Sequence, residues 1–366
     1  MGGGEKYLCA MARALADDTA YDVTLLSDSR PIDPKHVERF FSISLERVRL
    51  RHVSPRQTRR ALHEASIAVV MSNYRSLGLP ATKNVYILQI PYPDISAGTL
   101  AHDFMRGEIR ESAKNLLRLR LLATCRSASA VFVYSSFVQS ALREHHHLDT
   151  TVLYPPIDDF SSAKPKEQLI LSVGRFFQGQ YNDKRYDVLI DAFKTLCQRP
   201  IAKGWQYCIA GSCSDDAASQ AWLADLRERA RGYPIQFQVN ISHAALADLY
   251  GRASLLWHAA GYSIDQVQHP ERTEHFGMTP VEAMSAACVP LVVDAGGTRE
   301  TVEHGVSGYL WSTTNKLLEH TEQVLSTSAQ LAALQHGARE CFKRFSRKSF
   351  NDAVLLQFQN LKSTAG

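Results

Sequence analysis

The sequence has no run of about 18 apolar residues, the length a helix needs to cross a bilayer, so no spanning helix is expected. The first residues carry neither a basic n-region nor an apolar h-region, so no signal peptide is read there. Cytoplasmic residence is the expectation, with peripheral contact at the inner membrane face left open. Cysteine is sparse: seven are scattered through 366 residues, with no C-x-x-C and no Cys/His ligand spacing. That pattern suits buried free thiols in a reducing compartment, and no metal is expected. No G-x-G-x-x-G follows a strand-like segment, which disfavours a dinucleotide dehydrogenase. The excess of basic over acidic residues is small (net charge +4) and does not point to nucleic acid.

Apolar residues make up 45% of the chain, enough to fill the cores of two domains. Strands and helices alternate along nearly all of it, which indicates an α/β class with doubly wound units. Near the start, Gly3 and Gly4 precede a helix with Tyr7, Leu8, Met11 and Leu15 on one face. A strand at 23–26 follows. Glycine-rich turns in doubly wound folds normally follow a strand. None precedes these, so a first strand is read as missing, with an open slot beside the 23–26 strand. Further strands are read at 67–71, 85–90 and 130–134, with helices at 101–128 and from Ser135 or Ser136 to His145. The run His145-His146-His147 reads as a helix end near the negative pole of its dipole rather than as a metal site.

Tyr154-Pro155-Pro156 makes a stiff connector. A second alternation begins at Leu169, with helices at 185–198, 217–231 and 243–251 and strands at 206–210, 235–239 and 254–257. A last helix at 346–361 carries Phe350, Val354, Leu355 and Phe358 at helical spacing. The expected domains are 1–157 together with 345–366, and 158–344.

The stretch Glu271 to Trp311 is the most informative. Glu274 and Glu282 bracket His275, Phe276, Gly277, Met278, Thr279, Pro280 and Val281. Thr279 suits a helix cap and Pro280 the first helical position. Thr279-x-x-Glu282 also fits a capping box, in which Glu282 would bond back to the Thr279 N–H. Backbone N–H groups at such a helix start favour an anion, and Gly277 lets a ligand approach closely. Val289 to Val293 reads as a buried parallel strand, Gly296-Gly297 as a turn, and Thr298 to Gly305 as another helix. Earlier, Gly174-Arg175 ends a strand and Lys184 follows, a pair of cations suited to a diphosphate.

The E-x7-E spacing with HFGMTPVEAM, CVPLVV, the GG turn and VEHGVSGYLW resembles the retaining glycosyltransferases of family 4, which have the two-domain GT-B fold. The resemblance implies two Rossmann-like domains facing a cleft, with the last helix crossing back to the first domain. It implies a nucleotide-diphospho-sugar donor, Glu274 on the sugar hydroxyls, Glu282 on the ribose, and Arg175 and Lys184 on the diphosphate. Backbone near Gly277 and Met278 would meet the sugar, and Gly3 and Gly4 would approach the diphosphate. Gly211, Asn240 and Ile241 resemble the base pocket. Gln89 stands where many relatives carry His in His-x-Pro, and glutamine cannot titrate.

The implied activity is transfer of a hexose, from GDP-mannose or a UDP-hexose, to a glycan or lipid-linked acceptor, with no settled enzymic nucleophile and no metal. The rival readings are a donor-binding relative without turnover and, weaker, a hydrolase with Glu274 and Glu282 as its carboxylate pair, which would leave Arg175 and Lys184 idle. Arg47, Arg49, Arg51, Arg56, Arg59 and Arg60 form a basic segment suited to a solvated face or to anionic lipid. Arg106, Arg110, Lys114 and Arg118 suggest a second basic face.

Overall fold

The structure is a computed structural model, and residues 3–28, 31–96, 98, 105, 109–177 and 183–363 are described. The chain divides into two units: 1–156 with 347–366, and 157–346.

In the second unit one sheet runs β12-β11-β10-β7-β8-β9, every neighbouring pair parallel. Its strands are β7 (Glu167–Val173), β8 (Gln206–Gly211), β9 (Ile235–Val239), β10 (Ala253–His258), β11 (Val289–Val293) and β12 (Tyr309–Trp311). β10 and β11 are buried along their whole length, as strands of a parallel sheet covered on both faces should be. Phe193, Tyr207 and Trp257 pack against one another under the sheet. The strand order reverses between β7 and β10. In open α/β sheets ligands bind outside the carboxyl ends of the strands at such a reversal.

In the first unit the sheet is split. Among the described residues β1 (Thr24–Ser27) pairs only with β2 (Arg49–His52), and β3 (Ile67–Met71), β4 (Lys83–Leu88), β5 (Ala130–Val133) and β6 (Thr151–Val152) form a separate sheet in that order. All these pairs are parallel. A cavity of about 610 Å³ separates the two sheets, lined by Thr24 to Leu26 on one side, Ile67 to Val69 on the other, and Met11, Leu15 and Phe358. The slot expected beside β1 is therefore present. The helix Gly3–Asp18 is anchored by Tyr7, fully buried, stacked on Tyr134 and edge-on to Phe350 of the final helix Arg347–Ser363. The Tyr7 hydroxyl donates to the Leu153 carbonyl (3.1 Å).

Several expected elements differ. Helix 101–128 is found as Ile109–Cys125, and Arg106 lies outside the described residues. Arg118 is not on a basic face: it is buried, bonded to Asn115 and Glu111 and faced by the rings of Tyr74 and Tyr92, because it lies on the inward side of the helix. Ser135 caps the helix Ser136–His146, and His147 takes the left-handed conformation just after it. The helix opened by Thr298 ends at Thr301, and Gly305 serves a separate turn closed on Gly308. All seven cysteines are free.

The cavity between β1 and β3 offers two parallel edges to one more strand. An apolar segment of about five residues fused ahead of Gly3 is expected to pair with both and to raise the melting temperature, each kcal/mol gained being worth about 2–4 °C for a domain of this size. Differential scanning calorimetry checks this, and an unchanged midpoint means that the cavity does not take a strand.

Candidate active site

At the strand-order reversal of the second unit three charged or polar side chains meet. Glu274 is buried, and its Oε2 accepts from Lys184 Nζ (2.7 Å) and from His258 Nε2 (2.9 Å). Lys184 comes from the loop after β7, and His258 is the last residue of β10. Burial alone would push the Glu274 carboxyl up, because an ionised carboxylate is costly away from water. The Lys184 ammonium and the His258 hydrogen bond outweigh that and hold it well below the ordinary range. Burial, followed by repulsion from Lys184, lowers His258 against the opposing pull of Glu274. The imidazole is thus neutral at pH 7, and its hydrogen bond to a carboxylate makes Nε2 the protonated nitrogen.

The backbone around Glu274 is clamped by glycines. The Gly297 N–H donates to the Glu274 carbonyl (2.8 Å), and a Cβ on Gly297 would stand 2.4 Å from the His275 carbonyl oxygen. A Cβ on Gly296 would stand 2.4 Å from the Glu274 carbonyl oxygen. The GG turn is thus required where it presses on this segment. Gly277 sits at φ 96°, a conformation that favours glycine, and the helix Met278–Ser285 begins directly after it. The cap is therefore Gly277, and the expected Thr279 cap is not formed: Thr279 is already inside the first turn and Pro280 one residue further. Glu282 accepts from the Tyr250 hydroxyl (2.8 Å) across the core.

At the end of β7, a Cβ on Gly211 would fall 1.7 Å from the Gly174 carbonyl oxygen, so only glycine fits there. Arg175 is exposed at the same strand end, its guanidinium 5.0 Å from the centre of the Phe177 ring. Arg185, beside Lys184, is engaged by Asp187. Asn240 is left-handed (φ 55°), and its side chain both accepts from the Cys213 N–H and donates to the Cys213 carbonyl, tying the β8 and β9 ends together. Ile241 packs into the core behind them. His275 is buried and hydrogen-bonded to the Glu271 carbonyl, and Phe276 packs edge-on against Phe345.

In the first unit the structure brings Gly4 against Gln89, where a Cβ on Gly4 would meet Gln89 Nε2 at 2.8 Å. Gln89 donates to Tyr134 (2.7 Å) and accepts from Asn73 (3.0 Å), and Gly3 opens the helix beside Gly4. No group of three potential metal-ligating side chains occurs among the described residues. Sequence reasoning missed His258 and Tyr250. A histidine closing a buried, mainly apolar strand was the available signal for the first, and Tyr250 carried none.

Two sequence profiles match the chain: the family described as Glycosyl transferases group 1 over residues 156–340, and Glycosyltransferase Family 4 over 1–159. The chain belongs to this glycosyltransferase family. It is 24% identical over 223 residues to the GDP-Man:Man(3)GlcNAc(2)-PP-Dol alpha-1,2-mannosyltransferase of Dictyostelium discoideum, which covers 57% of this chain and 41% of that protein. It is 27% identical over 169 residues to the lipopolysaccharide core biosynthesis mannosyltransferase LpsB of Rhizobium meliloti, covering 44% and 42%. The matched stretches thus span less than half the length of these curated relatives. Among solved structures, Anabaena HepE in complex with UDP and glucose superposes with a TM-score of 0.68 at 18% identity, covering 98% of this chain and 96% of that one. Sucrose-phosphate synthase from Thermosynechococcus elongatus gives 0.69 at 18% identity, covering 100% and 94%. These likenesses establish the GT-B fold.

The sign of both shifts gives a pH prediction. Glu274 and His258 are depressed in the folded state, so the stability each contributes is present above its unfolded value (4.5 and 6.5) and is lost as pH falls. The melting temperature of the second unit is expected to drop in two stages, the upper setting in below about pH 6.5 and the lower below about pH 4.5 and continuing as the pH falls further. His258→Gln should flatten the upper stage and Glu274→Gln the lower. Thermal melts across that range check it, and identical profiles for the wild type and both variants would refute the coupling.

Proposed function

We propose that the chain transfers a hexose, of mannose type, from a nucleotide-diphospho-sugar to a glycan or lipid-linked acceptor with retention of configuration. The observation that carries this reading is the buried Glu274 carboxylate shared between Lys184 and His258 at the strand-order reversal. A carboxylate kept ionised in a buried place accepts strong hydrogen bonds from sugar hydroxyls. Lys184 carries a cation on the same spot and can turn to a diphosphate, with Arg175 at the neighbouring strand end. The family and the mannosyltransferase names of the relatives support the donor class.

On this reading the bond from the sugar C1 to the diphosphate oxygen breaks while the acceptor oxygen bonds to C1 on the same face. The acceptor proton passes to the leaving diphosphate, whose charge the two cations offset. Glu282 holds the ribose hydroxyls, and Tyr250 fixes its carboxylate for that task. Backbone of His275 to Thr279 frames the sugar, and Gly174, Gly211, Asn240 and Ile241 frame the nucleotide. No metal enters this reading. A second reading, donor binding without turnover, is favoured by one observation: the first unit's sheet is split by the cavity beside β1.

A thermal-shift screen of nucleotide sugars tests the donor, since a ligand at 100 times its dissociation constant adds about 2.7 kcal/mol. Stabilisation by GDP-mannose with release of GDP only when an acceptor is present supports transfer. Stabilisation without release supports the second reading. Glu282→Gln tests the ribose role. Glutamine keeps an oxygen for Tyr250, so the melting temperature should hardly move. It loses a charge-assisted bond worth about 1.5–3 kcal/mol, so donor affinity should fall roughly ten- to a hundredfold. A variant that melts much earlier yet binds donor normally would remove Glu282 from the site.

A further inference from the structure

Glu274 carries both of its partners on one oxygen: Lys184 Nζ and His258 Nε2 each donate to Oε2, at 2.7 and 2.9 Å. The group is neutral as a whole, with one carboxylate, one ammonium and one uncharged imidazole. All three side chains are withdrawn from solvent, Glu274 being 11%, Lys184 14% and His258 3% exposed. Lys184 and Glu274 are the charged groups that bear on the imidazole. The strands on either side of β10, β7 and β11, end in Val173 and Val293, which do not titrate. The charged side chains next along these segments are engaged elsewhere. Asp183 accepts from the Arg185 N–H, Arg185 is held by Asp187, Arg175 lies over the Phe177 ring, and Asp294 is held by Arg299. Tyr207 is neutral, its hydroxyl shared with Ser172.

The movable member of this group is the lysine, whose charge sits on a flexible stem, whereas His258 is fixed at the end of a buried strand. The donor reading, on which this inference rests, asks Lys184 to turn to the diphosphate. Its departure leaves the Glu274 carboxylate beside a neutral imidazole, out of water, with further negative charge arriving on the diphosphate. We propose that His258 takes up a proton when the donor binds and replaces Lys184 as the cation beside Glu274. The proton comes from solvent and bonds to Nδ1, the nitrogen without one, while Nε2–H keeps its bond to Oε2. The imidazole takes it in preference to the carboxylate because its ordinary value, 6.5, lies above the 4.5 of glutamate. His258 is thus a positioning residue. It acts through Glu274, keeping that carboxylate ionised and aimed while Lys184 serves the diphosphate. Donor affinity becomes linked to pH, the donor being held more tightly as pH falls. The exchange also runs backwards, so release of the diphosphate returns the proton and lets Lys184 close on Glu274 again.

The test is isothermal titration calorimetry of the full chain with GDP-mannose and with UDP-glucose at neutral pH, in buffers of different ionisation enthalpy. The diphosphate of a nucleotide sugar is esterified at both ends and does not itself titrate near neutral pH, so a proton exchanged belongs to the protein. Uptake of up to about one proton per bound donor is expected, with affinity rising by up to about tenfold for each pH unit lowered from ~8 towards ~6.5. H258Q keeps a donor for Oε2 and cannot titrate, so it should bind without proton uptake and with an affinity that is flat across that range. If H258Q does not fold, nitrogen NMR spectra of the wild-type histidine rings replace it, and one ring should pass from the neutral to the imidazolium pattern when donor is added. Binding with no proton taken up, uptake that H258Q retains in full, or spectra in which no ring changes state would overturn the proposal and leave the donor reading standing. If neither nucleotide sugar binds, the donor reading falls and this inference with it.

Discussion

A single buried carboxylate sets the terms for the second unit. Glu274 lies out of water, where an unpaired charge would cost several kcal/mol, and two partners must be delivered to one of its oxygens. One arrives from the loop after β7 and the other from the end of β10, on either side of the strand-order reversal. The glycines follow from the same demand. Gly296 and Gly297 let a neighbouring turn press on the Glu274 backbone, and Gly297 donates to its carbonyl. The charge is thus held from the side-chain end and from the main-chain end together.

The second carboxylate is held differently. Glu282 is only partly buried and leans on a neutral hydroxyl, that of Tyr250. One carboxylate is thus held by an ammonium and an imidazole, the other by a tyrosine hydroxyl. Between them, Gly277 in the left-handed conformation turns the chain from one to the other and starts the helix that carries Glu282.

The first unit shows how misleading a count of charges along a sequence can be. Arg118 repeats the spacing of Arg110 and Lys114, yet it is buried between aromatic rings and bonded to Asn115 and Glu111. Arg47, Arg49 and Arg51 look like a basic strip and are each matched by a carboxylate from another segment.

The sequence by itself determined the alternation of strands and helices, the two-unit α/β class, the family, and the segment Glu274 to Glu282. Those features are local: apolar runs, turn residues and a motif whose parts are close in the chain. Tertiary structure alone decided which residues hold the carboxylates. His258 is 16 residues from Glu274, Lys184 is 90 away, and Tyr250 is 32 from Glu282, distances that no local pattern spans. It also decided the cap of the helix Met278–Ser285, since the left-handed turn at Gly277 starts the helix before Thr279 and leaves that residue inside the first turn. Burial belongs to the fold as a whole, and so does every charge that burial shifts.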